Sequence, residues 1–130
     1  MKRGFTLLEL VIVIIVIGIL AGLAMPQYFR VVEKGRVAEG LQILGLLRAA
    51  QLRYYAEKAV YTATVTDLDF EYTTPKYFTI AAVAGPTNLA TATRNGINNP
   101  GYGSYALTIA VDGTITCSGG TAGACAKIGY

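Results

Sequence analysis

Polar positions almost vanish near the start of the chain. Residues 10–25 carry no charge, and across residues 5–25 Glu9 is the only ionisable side chain. As a helix rising about 1.5 Å per residue, residues 5–25 reach roughly 31 Å, which matches a bilayer hydrocarbon core of about 30 Å. The β-branched run Val11 to Ile17 also suits a buried strand. Strands average only about five or six residues, so length decides for a helix that can cross a membrane. Lys2 and Arg3 precede this span, and the positive-inside tendency leaves the N-terminus cytoplasmic and everything after Met25 on the far side.

The pattern then changes period. No proline interrupts residues 27–59, and at helical spacing Val37, Leu41, Leu44, Leu52, Tyr55 and Ala59 share one face. Ile43, Leu47, Ala50 and Tyr54 form a second, displaced strip. The expectation is that a sheet from the same chain covers one strip and neighbouring molecules meet the other. A single wide core face with exposed spillover is the alternative. Alternation typical of strands follows at residues 77–83, 89–94, 104–111 and 114–117. Residues 61–75 read as a connecting loop in which residues 64–67 cap one short turn, and residues 94–102, with Pro100, read as a second loop. Asp112-Gly113 predicts a tight type I′ hairpin turn between the last two strands. The expected fold is α+β: a long N-terminal α-helix, transmembrane in its first half and amphipathic in its second, packed on a small antiparallel β-sheet.

Composition narrows the chemistry. The chain has 130 residues, 53% hydrophobic and 15% charged, which excludes a disordered or collagen-like protein and allows one small domain with an appended element. The mean hydropathy of +0.45 belongs largely to the front block. Histidine is absent, which removes the usual neutral-pH base, the commonest metal ligand and every imidazole triad. Ser104 and Ser118 have no evident activating base, and P-loop, CxxC and Rossmann glycine patterns are missing. Asp67, Asp69 and Glu71 alternate like the opening of a calcium loop, but Tyr72 stands where glycine is needed and Phe78 where glutamate is needed. The expectation is a protein that is not an enzyme and uses no metal or cofactor. Its formal charge of +3 lacks the concentrated basic stripe of a nucleic-acid site. Residues 27–59 carry Arg30, Lys34, Arg36, Arg48, Arg53 and Lys58 against Glu33, Glu39 and Glu57, a net +3. From residue 60 onward Lys76, Arg94 and Lys127 face Asp67, Asp69, Glu71 and Asp112, a net −1. These biases either help molecules stack or are simply solvated. Cys117 and Cys125 fit a disulfide in an oxidising compartment, the alternative being two unpaired small core residues. A disulfide there ties the last strand to a tail with little else to bury.

Glu9 needs a reason to be in an apolar helix, where a carboxylate costs on the order of 2.5–3.5 kcal/mol near the membrane centre. One explanation is local: Thr6-Leu7-Leu8-Glu9 has capping-box spacing. Another needs a cut after Gly4, which gives Phe5 a positive α-amine that the Glu9 of a neighbour can pair with. An ordinary secretory signal, with Gly22-Leu23-Ala24 as its cleavage site and Met25 as mature start, competes with both.

The sequence Gly4-Phe5-Thr6-Leu7-Leu8-Glu9-Leu10-Val11-Ile12-Val13-Ile14-Ile15 after a short basic leader resembles the class III signal of type IV pilins and pseudopilins. The resemblance implies cleavage between Gly4 and Phe5 by a prepilin peptidase, N-methylation of Phe5, and docking of subunits through Glu9. Gly18, Gly22 and Pro26 fall where subunits of this family can carry a weakened or unwound helix; the alternative for the glycines is that they permit close helix packing in lipid. The implied organisation is a leader at residues 1–4, a polymerisation helix at 5–26, its amphipathic continuation at 27–59, and a β-sheet head at 60–130 closed by the Cys117–Cys125 loop. Implied partners are further copies in a helical filament, an assembly ATPase in the cytoplasm, an inner-membrane platform protein, and membrane lipid before assembly. The implied role is a type IV pilus subunit serving adhesion, motility or DNA uptake at the cell surface. Two alternatives stay open: the major pseudopilin of a type II secretion system and a membrane-tethered periplasmic binding module. Pseudopilins commonly lack such a disulfide and hold calcium in a late loop, whereas Asp112 is the only acid in the late region here.

Overall fold

A computed structural model describes residues 4–97, 99 and 101–130. The expected leader therefore lies outside the described residues except for Gly4, and so does Pro100 of the second loop. The chain forms two compact units, one up to Val32 and one from Glu33 to Tyr130. Helix α1, Leu7–Lys58, runs through both.

In the first unit every described residue up to Val31 is exposed. The second unit places the remainder of α1 on a four-stranded antiparallel sheet in the order β1 (Phe78–Ala82), β2 (Asn88–Arg94), β3 (Tyr105–Ala110), β4 (Ile115–Gly119). A single 3₁₀ turn, Val65–Asp67, lies in the loop before β1, and a short helix α2, Ala124–Ile128, follows β4. The α+β architecture is the one the hydrophobic pattern predicts.

Strand register sorts the side chains into cross-strand rows. Ile80, Ala92, Leu107 and Cys117 make one inward row, and Ala82, Ala90, Ile109 and Ile115 another. Leu44, Leu47 and Ala50 of α1 join the same core. Small residues at the centre of the sheet let the helix come close, and Gly40 marks the tightest point: a Cβ there would stand 3.3 Å from the Phe78 ring. The opposite sheet face, with Thr79, Ala81, Thr91, Thr93, Ala106, Thr108, Thr116 and Ser118, carries no charge and no large side chain.

Four expectations need correction. The two apolar strips of α1 are one wide core face, since Ile43, Leu47 and Ala50 are buried beside Val37 and Leu44. Leu68, Val65 and Phe70 of the loop before β1 join the sheet in the core against α1, and the spillover is Tyr55 and Ala59, which are exposed. The β3–β4 turn is not type I′: only Gly113 has positive φ, at 93°, and Asp112 does not. Gly113 N–H donates to Ala110 O at 3.0 Å and Ala110 N–H to Thr114 O at 2.9 Å, the pattern of a three-residue loop closed by a glycine bulge. Asp112 Oδ1 accepts the Thr114 N–H at 2.8 Å, which suits a right-handed aspartate better than a left-handed one. The Thr64 side chain makes no cap bond; Thr62 Oγ1 instead donates to Asp67 Oδ2 and accepts the Thr64 N–H. Finally, the tail does have something to bury, because Ala124 and Ile128 of α2 enter the core.

Candidate polymerisation segment

Thr6 precedes the first turn of α1 and Glu9 lies three residues on. Thr6 N–H donates to Glu9 Oε2 at 3.0 Å, Thr6 Oγ1 donates to the same oxygen at 2.9 Å, and Glu9 N–H donates to Thr6 Oγ1 at 3.2 Å. This is a reciprocal capping box, which satisfies backbone donors that a helix start leaves orphaned. Both Thr6 donors converge on Oε2, and among the described residues nothing engages Oε1. The carboxylate is held in place and half used.

Gly4 is exposed and Phe5 is 84% exposed, so the chain itself covers neither side of the expected cleavage bond. From Leu10 to Met25 the helix offers only apolar surface, and it is long and apolar enough to cross a membrane. Gly18 and Gly22 have open space where a Cβ would stand, so packing within the molecule does not require glycine at either position. Pro26 lies inside the continuous helix. Having no N–H, it leaves the carbonyl of Gly22 without its helical donor. Cys117 and Cys125 form a disulfide, Cα atoms 5.7 Å apart, linking β4 to α2.

A second constellation is one the sequence reading passed over. Glu33, Arg94 and Tyr105 are all fully buried. Arg94 Nε donates to Glu33 Oε1 at 2.6 Å and Arg94 Nη2 to Oε2 at 3.3 Å. Tyr105 Oη donates to Oε1 at 2.8 Å, and Arg36 Nη1 to Oε2 at 3.0 Å. Arg94 Nη1 also reaches the carbonyls of Asn95 and Ile97. Burial pushes the Glu33 carboxyl up, but the bonds from Arg94, Tyr105 and Arg36 outweigh it and hold the group below its ordinary value. Burial and the adjacent carboxylate together drive the Tyr105 hydroxyl well above the usual tyrosine range. The signal was present: Glu33, Val37, Gly40, Leu44, Leu47 and Gln51 share one helical stripe, and Arg94 is in phase with inward-facing Ala90 and Ala92.

The family description "Prokaryotic N-terminal methylation motif" matches residues 1–25. Over 116 residues, the chain is 34% identical to the fimbrial protein EcpC of Eikenella corrodens, an alignment covering 87% of this chain and 75% of that protein. The chain belongs to the type IV pilin family. The pilin is also 36% identical over 69 residues to the type IV major pilin protein PilA of Myxococcus xanthus, covering 53% of this chain and 31% of PilA. To a fimbrial protein of Neisseria meningitidis it is 29% identical over 102 residues, covering 76% and 60%. The pilin thus spans three quarters of the Eikenella protein and about a third of PilA. No solved structure matches it.

The family is structural rather than enzymatic, and membership implies self-association. The apolar helix and the family together fit a membrane-anchored subunit of a surface filament. Two features left unpartnered among the described residues fall in one stretch of this pilin: the exposed apolar helix and Glu9 Oε1.

Proposed function

We propose that this pilin is the structural subunit of a type IV pilus, inserted in the inner membrane as a precursor, cut after Gly4 and N-methylated on Phe5. The observation that carries the reading is the state of Glu9. It is the one carboxylate on a fully exposed apolar helix, fixed by Thr6 through a single oxygen and one helical turn from Phe5. A new α-amine at Phe5 supplies the positive charge that this site lacks, and in a neighbouring copy it meets Glu9 across the helix–helix contact. Pairing neutralises both groups within an apolar surrounding, where an isolated carboxylate is expensive. Gly18, Gly22 and Pro26 are the positions at which α1 gives way on assembly, since glycine lowers helix propensity by about 1 kcal/mol and Pro26 offers no N–H to the Gly22 carbonyl.

In this reading residues 1–4 are the leader, 5–26 the polymerisation segment, 27–59 its amphipathic continuation and 60–130 the head. A prepilin peptidase, a cytoplasmic assembly ATPase and an inner-membrane platform protein act on the subunit, and lipid surrounds residues 5–25 before assembly. Adhesion, motility or DNA uptake belongs to the fibre and not to a site on the monomer. The test is the intact mass and N-terminal sequence of the native protein. A mature chain starting at N-methyl-Phe5 is expected; a start at Met25 overturns the proposal.

A further inference from the structure

Among the described residues most charged side chains of this pilin have a partner within the molecule, and those without one are the basic Arg30 and Lys34 and the acidic Asp69 and Glu71. Arg30 and Lys34 are exposed on α1 and make no hydrogen bond, ion pair or ring contact among the described residues. The other basic residues described all have one: Arg48 bonds Val111 O, Arg53 bonds Asp69 O, Lys58 pairs with Glu57, Lys76 and Lys127 lie over tyrosine rings, and Arg36 and Arg94 hold Glu33.

Glu71 lines a recess of about 280 Å³ beside α1, together with Glu39, Gln42, Ile43, Leu46 and Tyr72. Glu71 has no partner among the described residues. Glu39 Oε1 accepts the Lys76 N–H at 3.2 Å, while Oε2 is buried without a donor. A buried polar atom without a partner is uncommon in native structures and asks for a reason. Here the half-buried Glu39, with one donor and one buried oxygen left over, shares the recess with the exposed Glu71 carboxylate, so two acidic groups line it with no basic side chain among them. Exposed Leu46 and buried Ile43 line the same recess. The combination of an apolar wall and carboxylates suits an aliphatic stem ending in a cation, as in lysine or arginine.

We propose that this recess receives the Arg30 and Lys34 side chains of a second copy of the chain. The inference rests on the pilus-subunit reading and adds to it a contact outside the apolar helix. The recess and the basic pair share no residue, so a contact between them is heterologous. A heterologous contact that does not close on itself generates an open helical polymer, whereas a self-complementary patch makes a dimer. The charges act by fixing register and rejecting wrong alignments, where like charges meet.

The experiment compares filament assembly by the full-length chain and by three variants expressed in its native host. Membrane insertion and leader removal are checked for each by N-terminal sequencing, and head folding by disulfide formation. Glu39→Gln/Glu71→Gln keeps the Lys76 acceptor but removes the recess charge; Arg30→Gln/Lys34→Gln removes the opposite one. Each is expected to lower filament yield at least fivefold and to flatten the loss of wild-type filaments with rising salt. The charge-exchanged chain, Glu39→Lys/Glu71→Lys/Arg30→Glu/Lys34→Glu, is expected to restore the yield. Wild-type yield from both neutralised variants means the recess holds only solvent and overturns the inference. So does a charge-exchanged chain that is processed but stays as poor as the neutralised pairs. Wild-type filaments that a chelator dissolves, when Glu39→Gln/Glu71→Gln filaments resist it, assign the recess to a metal ion and overturn it too. A wild-type chain that is processed but never forms filaments instead counts against the pilus reading itself.

Discussion

Glu33 and Arg94, 61 positions apart in sequence, form a two-point ion pair from which solvent is excluded. Glu33 is the first residue of the compact unit that carries the sheet, so this pair fastens α1 where its covered portion begins. Removing one partner strands the other as a buried charge, at a cost of about 3–5 kcal/mol. Glu33→Gln and Arg94→Met should each lower stability by that order in urea unfolding of the full chain in detergent, followed by tyrosine near-ultraviolet dichroism. Glu33→Leu/Arg94→Met, which removes both charges, should lose clearly less than either single variant. Equal losses in all three would show that packing rather than charge holds the junction.

The same cluster sets a pH dependence. The folded Glu33 carboxyl lies below its ordinary value of 4.5, so its contribution is complete above that value and fades as pH falls through the folded one. Asp112, lowered chiefly by the Thr114 N–H, adds in the same direction. For Tyr105 the sign is opposite in pH. Its folded value is raised above 10, so its contribution is complete below pH 10 and declines as the solution becomes more alkaline. Unfolding free energy measured against pH should therefore drop on the acid side, and Glu33→Gln should flatten most of that drop. An unchanged acid limb in Glu33→Gln would assign it to other carboxylates.

Cys117 and Cys125 close a small loop, and in the chain-entropy account such a loop is worth about 2–3 kcal/mol. Cys117→Ala/Cys125→Ala should lose that much in the same unfolding assay. Because Ala124 and Ile128 sit in the core, α2 should stay docked, with faster amide exchange confined to residues 119–130. Loss of protection throughout the sheet would mean that the staple organises the whole head.

Glu9→Ala removes the capping box, a local loss of about 1 kcal/mol at a helix start. It touches nothing in the unit from Glu33 onward. The variant should insert in the membrane and fold its head normally but form no filaments by electron microscopy. Abundant filaments from Glu9→Ala would leave the capping box as the whole explanation of this residue.

Much of this was legible in the sequence because the relevant signals are periodic or local. Length and polarity define the apolar helix, and alternation locates all four strands to within two residues at either end. The Thr6–Glu9 box follows from spacing alone. What escaped was the partnering of charges: Glu33 and Arg94 read as solvated because charge is normally exposed, although both sit in phase with apolar positions. A long-range pair is visible only once the register of β2 against α1 is known. The turn at Asp112-Gly113 was placed correctly but given the wrong type, because the dipeptide specifies a reversal and the third loop residue decides its geometry. The merging of the two strips on α1 depended on the loop before β1 folding into the core with the sheet, which no single segment encodes.

The outward face of the sheet holds only threonine, alanine and serine, and it makes no part of the core. Substitutions on such a surface typically change stability by no more than about 0.5 kcal/mol. Folding therefore places little constraint on the face that filament packing with helices inside would turn toward the surroundings. Threonine, alanine and serine there can be exchanged for other side chains with the inward rows, and hence the core, left intact.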